Sequence, residues 1–302
     1  MSIAVEQVFH HALSQIERAE IFTEPFPHIS INRFLPDDFF QTLLRHIPER
    51  SHFQKVFYPG SGFDRKATRY HGYGWACKDF SGHQYFKVVK DLFASDDFSK
   101  LLLEKFSRKL ADGLTPIPPE KHTFFKDGAN DYTCVFDFQI DLPGYEIPPH
   151  PDIKEKIVTF QLFLVEDESL RDYGTLLCKP KNGRATTRRS MFANLSGQLL
   201  DGVTRVLQLR QNGIYSRLKQ SGFGLWAGLG PLQEWLPWEL FDVAKVLPAL
   251  PNHFMAFAPN SRSYHAVRMD IPAANERQER PVIRGFIRNG RNAKNWMMPA
   301  DL

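Results

Sequence analysis

Two histidines and an aspartate in the second half of this chain stand at spacings that suit one metal ion. His150 and Asp152 flank Pro151. In an extended segment, residues two apart point the same way, so both side chains can reach one ion. The third donor has to come from further on, where the chain offers only His253 and His265. His253 opens the apolar run Phe254-Met255-Ala256-Phe257 and reads as a strand-edge residue. His265 follows Pro259-Asn260-Ser261-Arg262-Ser263-Tyr264 and precedes Ala266-Val267, a loop-to-strand position suited to the mouth of a barrel. His265 is therefore the preferred ligand. Two imidazoles and one carboxylate leave three positions of Fe(II) open, as oxygen chemistry requires.

Iron chemistry of this kind also needs an acidic electron donor, and 2-oxoglutarate offers a distal carboxylate. Arginine binds such a group through two parallel charge-assisted hydrogen bonds. Arg280, Arg284 and Arg288 differ by even numbers and share one face of the last strand. Arg280 heads that strand and is the first choice, with Arg284 in reserve. Gln139, Asp137, Thr159 and Gln161 are polar residues inside apolar strand patterns, where buried groups need partners. Gln139 and Thr159 are expected to line the pocket and meet the co-substrate, with Tyr132 and Lys156 behind them.

The elements that must hold these residues are strands, and they concentrate after residue 131. Tyr132 to Leu142 alternates, with Cys134, Phe136, Phe138 and Ile140 on one face and Val135, Asp137, Gln139 and Asp141 on the other. Pro143-Gly144 makes a turn. Further strands are expected at 156–165, 174–179, 254–257 and 282–287. Short strands punctuated by Gly and Pro point to a sandwich or barrel, not to alternating βαβ units. Upstream, residues 3–16 have helical spacing, Pro25 to Ile31 reads as a short strand, and Asp37-Asp38 after Pro36 opens a helix. Residues 58–75 read as a loop, and 84–111 as one helical region.

With these residues in view, the chain resembles the Fe(II)- and 2-oxoglutarate-dependent oxygenases, on their bacterial prolyl-hydroxylase-like side. Pro25-Phe26-Pro27-His28 with Phe34-Leu35-Pro36 is similar to their N-terminal entry. His150 to Lys156, Phe163-Leu164 and Asp172-Tyr173-Gly174-Thr175-Leu176 are similar to their metal strand, following strand and Gly-Thr turn. Ser263-Tyr264-His265-Ala266-Val267 and Arg280-Pro281-Val282 are similar to the distal histidine and the Arg-x-Ser strand, with Val282 where Ser is usual. The resemblance implies a mainly β fold with flanking helices, built on a double-stranded β-helix (jelly-roll) core. It implies Fe(II) on His150, Asp152 and His265, the 2-oxoglutarate C5 carboxylate on Arg280, and O2 as oxidant. The implied activity is hydroxylation of an aliphatic C–H bond with release of succinate and CO2. Because Asp152 fills the carboxylate position, no ligand site is vacant for halide, and hydroxylation is expected over halogenation.

The 302 residues suit one oxygenase domain. Its expected parts are an N-terminal helical support and loops (1–131), a jelly-roll core (132–182 and 248–290) and an insert or lid (184–247). The net charge is +4, yet residues 179–220 carry nine basic side chains against Asp201 alone, a local excess of +8. A field of one sign steers an anionic partner, so a small anionic substrate is expected and nucleic acid is not. Trp226, Trp235 and Trp238 end the insert, which reads as a wall over the barrel mouth or as a homodimer contact. No spanning segment or secretory leader is evident, and Cys77, Cys134 and Cys178 show no CxxC spacing, so a cytoplasmic protein is expected. Two alternatives stay open: a metalloenzyme of different chemistry, and a non-catalytic jelly-roll binding protein.

Overall fold

A computed structural model describes residues 5–58, 72–77, 84–111, 132–152, 156–181, 236, 238–259, 263–270 and 278–289. Among the described residues the four α-helices all lie before residue 112, interleaved with the first three strands. In α1 (Val5–Arg18), Val8, Ala12 and Ile16 recur every fourth residue and form one buried stripe. Helix α2 (Asp37–Leu44) starts after Pro36 without a side-chain cap, and Asp37 and Asp38 place negative charge against the exposed N–H groups of its first turn. The region expected as one helix is two, α3 (Gln84–Ala94) and α4 (Asp96–Ala111). Ser95 divides them: its Oγ accepts the Phe98 N–H at 3.2 Å, which caps α4.

The strands in chain order are β1 (His28–Ile31), β2 (Gln54–Tyr58), β3 (Gly72–Cys77), β4 (Tyr132–Asp141), β5 (Glu146–His150), β6 (Lys156–Phe163), β7 (Thr175–Pro180), β8 (Phe241–Leu247), β9 (His253–Phe257), β10 (His265–Arg268) and β11 (Arg280–Asn289). They form a seven-stranded sheet in the order β1-β9-β6-β11-β4-β3-β2 and a four-stranded sheet in the order β5-β10-β7-β8. All pairings are antiparallel. From β4 to β11 the chain passes back and forth between the two sheets, returning to the large one at β6, β9 and β11. That is a jelly-roll core with helices on one side, the architecture expected above.

Alternation along each strand sorts side chains into three clusters. On one face of the large sheet Phe138, Phe160, Leu162, Phe254 and Ile283 meet Phe34, Phe93 and Phe98 from the helical side. Phe93 centres this contact, 5.2 Å from Phe160 and 5.6 Å from Phe136 between ring centroids. The opposite face carries Phe163, Met255, Phe257 and Val282, packed on Leu177, Leu247 and Val267 of the small sheet. The third cluster covers the outside of the small sheet: Leu176, Cys178, Leu236, Phe241, Tyr264 and Ala266, with Trp238 and Leu240 against it.

The alternation read in β4 is therefore oriented by the sheet. Phe138 and Ile140 lie under the helices, while Gln139 and Asp141 are buried on the inner face. Pro143-Gly144 makes the expected turn: Gly144 has φ +82 and the Tyr145 N–H donates to Leu142 O at 2.9 Å. A positive φ at the third residue of the turn, directly after a proline, is the type II arrangement that glycine favours.

Two expectations are corrected by the strand pairing. Part of 58–75 is not loop, since β3 begins at Gly72 and pairs with β4 from Gly74↔Asp141 to Cys77↔Phe138. Glycine-rich sequence hid it, because Gly has low strand preference and the partner strand supplies the order. The small sheet also reaches back before residue 248: β8 starts at Phe241 and pairs with β7 through Thr175↔Leu247. The remainder of 184–235, with its basic half, Trp226 and Trp235, lies outside the described residues.

Candidate metal centre

His150 would face outward on a regular strand. Ile147 points into the interior cluster, and a residue three further along has opposite parity. The pairing of β5 with β10 shows how this is avoided. His265↔His150 and Val267↔Ile147 are partners, so one residue of β10 stands against two of β5, Pro148 and Pro149. This is a β-bulge, and proline suits it because the bulged residues give no N–H to the ladder. The bulge turns His150 inward, opposite His265, with ring centroids 4.2 Å apart.

Both imidazoles are held in the same way. His150 Nδ1 lies 2.7 Å from Pro148 O and His265 Nδ1 lies 3.0 Å from Ser263 O, in each case the carbonyl two residues back. A carbonyl only accepts, so each Nδ1 carries the proton and each Nε2 lone pair is left for a metal. Asp152 has its side chain fully buried, with Oδ2 3.8 Å from His265 Nε2. Lys156 Nζ donates to Asp152 Oδ1 at 2.5 Å, and Thr159 Oγ1 donates to Oδ2 at 2.6 Å.

These three residues fit a metal by donor type and by distance. One donor atom from each lies within 4.8 Å of the others, so some point stands within about 2.8 Å of all three; bonds to nitrogen and oxygen are about 2.0–2.2 Å. Burial, and for His150 the facing His265, push both imidazoles down towards their neutral form. Burial opposes the Asp152 charge, but Lys156, His265 and His150 outweigh it and hold the carboxyl well below the usual range. Neutral imidazoles and an ionised carboxylate are the forms that bind metals. Phe257, 4.6 Å from the His265 ring, supplies an apolar wall. His253 stands elsewhere, with Nε2 2.8 Å from Ser30 Oγ and its ring stacked on Phe163.

The arginines share the inner face of β11, as their spacing predicts, but their surroundings differ. Arg280 is fully buried: Nε and Nη2 donate to Asp141 Oδ2 at 3.0 and 2.6 Å, and Nη1 reaches the carbonyls of Tyr173 and Gly174. Burial lowers its pKa, and Asp141 works against that. Arg284 donates to Gln139 Oε1 at 2.7 Å, to the Tyr145 hydroxyl at 2.8 Å and to Asp141 Oδ2. Register places them relative to the metal ligands. Thr159, which touches Asp152, pairs with Phe286. Arg284 is two residues from that point, roughly 7 Å along the strand, and Arg280 six residues, roughly 20 Å. Val282 lies between the two arginines, where a serine would have added a hydroxyl.

Gln139 thus lines the interior beside Arg284, Thr159 braces Asp152, and Gln161 accepts from Thr175 Oγ1 at 3.1 Å. Asp141 and Tyr145 were missed as site residues. The period of β4 could have found Asp141, which follows Asp137 and Gln139 at the same parity. Tyr145 had no signal, since only the turn aims it inward, where burial pushes its hydroxyl pKa up to about 12.

No family model matches the chain, and no curated protein matches it. Solved structures do. A prolyl-4-hydroxylase from Pseudomonas putida is 12% identical, covering 93% of this chain and 98% of that one, with a TM-score of 0.43. A prolyl hydroxylase from Trichoplax adhaerens, in complex with a hypoxia inducible factor peptide fragment, is 10% identical over 97% and 94%, with a TM-score of 0.42. HygX from Streptomyces hygroscopicus, with nickel and 2-oxoglutarate bound, is 11% identical over 95% and 87%, with a TM-score of 0.39.

Proposed function

We propose that the chain is an Fe(II)- and 2-oxoglutarate-dependent dioxygenase that hydroxylates an aliphatic C–H bond of a small anionic substrate. The observation that carries this reading is the convergence of His150, Asp152 and His265, each with its metal-binding atom presented, on the inner side of a jelly-roll that also holds two arginines. Bound Fe(II), with 2-oxoglutarate and O2, supplies oxidative decarboxylation to succinate and CO2 coupled to transfer of one oxygen atom into a C–H bond. His150 and His265 hold the metal through Nε2, and Asp152 through its carboxylate, which Thr159 and Lys156 orient.

The arginine assignment moves from Arg280 to Arg284. Arg284 lies within about 7 Å of the ligand layer along β11, a span that 2-oxoglutarate can bridge. Gln139 and Tyr145 fix its plane, whereas Arg280 is turned onto Asp141 and two carbonyls. Arg280 then acts as support, holding the carboxylate that also contacts Arg284. The anionic substrate is supported by the basic excess of residues 179–220. Described helices include none long and apolar enough to cross a membrane.

The test is anaerobic binding of Fe(II) and 2-oxoglutarate, then succinate release on admission of O2. Wild type is expected to bind both and release succinate, Asp152→Ala to lose metal and turnover, and Arg284→Ala to keep metal but weaken 2-oxoglutarate tenfold or more. Metal binding without 2-oxoglutarate binding in wild type would overturn the dioxygenase reading.

A further inference from the structure

The third cluster, on the outside of the small sheet, contains both neighbours of His265, Tyr264 and Ala266, and Leu236, which bonds to the residue before His150. Pro149 precedes His150, and Tyr264 precedes His265. At the bulge, the Pro148 carbonyl holds the His150 imidazole. The Pro149 carbonyl is taken by a different part of the chain: it accepts the Leu236 N–H at 2.8 Å. Leu236 is buried beside Tyr264, Phe241 and Ala266. The Phe241 and Tyr264 rings are 4.8 Å apart, and the Tyr264 carbonyl accepts the Cys178 N–H at 2.8 Å. Trp238 closes the cluster, with the Arg268 guanidinium 4.0 Å above its ring and Arg268 bonded in turn to Glu146 on β5 at 3.1 Å.

We infer that Leu236, Trp238 and Phe241 form a positioning element for the metal centre, bracing the backbone behind both histidines from outside the barrel. A buried carbonyl left unpaired costs free energy, and a bulge that shifts to relieve that cost re-aims the side chain beside it. Leu236 opposes such a shift at one end by its N–H, and Phe241 at the other by packing on the residue before His265. Neither side chain enters the pocket, so the effect passes through ligand orientation, as with other outer supports of metal ligands.

This rests on the metal reading above, and the experiment separates the two. Co(II), added anaerobically to the full chain, serves as probe, read by its dissociation constant and its visible absorption. Phe241→Ala and Leu236→Pro, which lacks the N–H, are expected to weaken Co(II) tenfold or more and to alter the absorption bands. Trp238→Phe, which keeps a ring under Arg268, is expected to bind near wild type, and Trp238→Ala to bind worse. Leu43→Ala, a comparable deletion in the helical cluster, is expected to lower the melting temperature while leaving Co(II) affinity unchanged, which separates positioning from general destabilisation. Wild-type binding matched by folded Phe241→Ala and Trp238→Ala, with the same spectrum, would overturn the inference and leave the metal site standing. Failure of wild type to bind Co(II) would overturn both.

Discussion

Thr159 donates its hydroxyl to one oxygen of Asp152 while Lys156 donates to the other, so the carboxylate is fixed from two sides. Thr159→Val keeps the shape and removes that donor. Metal affinity is expected to fall about tenfold, the lower end for losing an outer partner of a ligand, and Co(II) titration of the folded variant measures it. A second prediction concerns His253, buried between Ser30 and Phe163 with its pKa lowered from 6.5 to about 4 by burial. The unfolded chain takes up that proton first as pH falls. Its stabilising contribution is therefore complete above pH 6.5 and disappears towards pH 4, up to about 3 kcal/mol. Urea unfolding between pH 7 and 4 is expected to show a shallower loss in His253→Asn than in wild type. That His265, and not His253, stands with His150 and Asp152 was legible because one follows a loop and the other opens an apolar run. The choice between Arg280 and Arg284 was not, because parity puts both on one face and only the paired strand shows which of them adjoins Thr159.

Strand β5 shows what an element adds that residue types do not contain. A His-x-Asp reading assumes an extended segment, yet the decisive count is the two residues of β5 set against one of β10. Deleting Pro149 is expected to remove the bulge but leave His150 two residues from Ile147, at inward parity, so Co(II) binding is expected to persist, weakened by loss of the carbonyl that the Leu236 N–H holds. Pro149→Ala is expected to bind Co(II) more weakly than wild type but measurably, and titration of both compares the effect of residue number with that of residue type. The sequence did point to Pro148-Pro149 as context, though not to its counting role. β4, β6, β9 and β11 were legible because each alternates or runs apolar over most of its length. β3 was not, since Gly72 and Gly74 carry no side chain to show a face, and β8 leaves Val243 and Val246 exposed, which blurs its pattern.

The molecule keeps its supporting core and its candidate centre on opposite faces of one sheet. Phe93, Phe98 and Phe34 pack the helices on one side, and the candidate metal ligands lie on the other. Phe93→Ala is expected to cost about 3–5 kcal/mol by leaving a cavity, while Co(II) affinity at a temperature where the variant is folded stays within twofold of wild type. Denaturant unfolding and titration on one sample check both halves of that statement. A sandwich or barrel was readable from the spacing of strands and turns, and the jelly-roll from the family resemblance, whereas this division of labour depends on which face of each strand meets which layer. It also has a chemical consequence. Cys134 packs against the helical cluster and Cys178 belongs to the outer cluster of the small sheet, and burial pushes both thiols up to about 12. In the native fold, neither is a ready nucleophile for an alkylating reagent. In a Cys77→Ser background, each becomes labelled only when its own layer opens. Two labelling rates, followed by peptide mass, would then clock the opening of the helical layer and of the small sheet separately in a single undenatured sample.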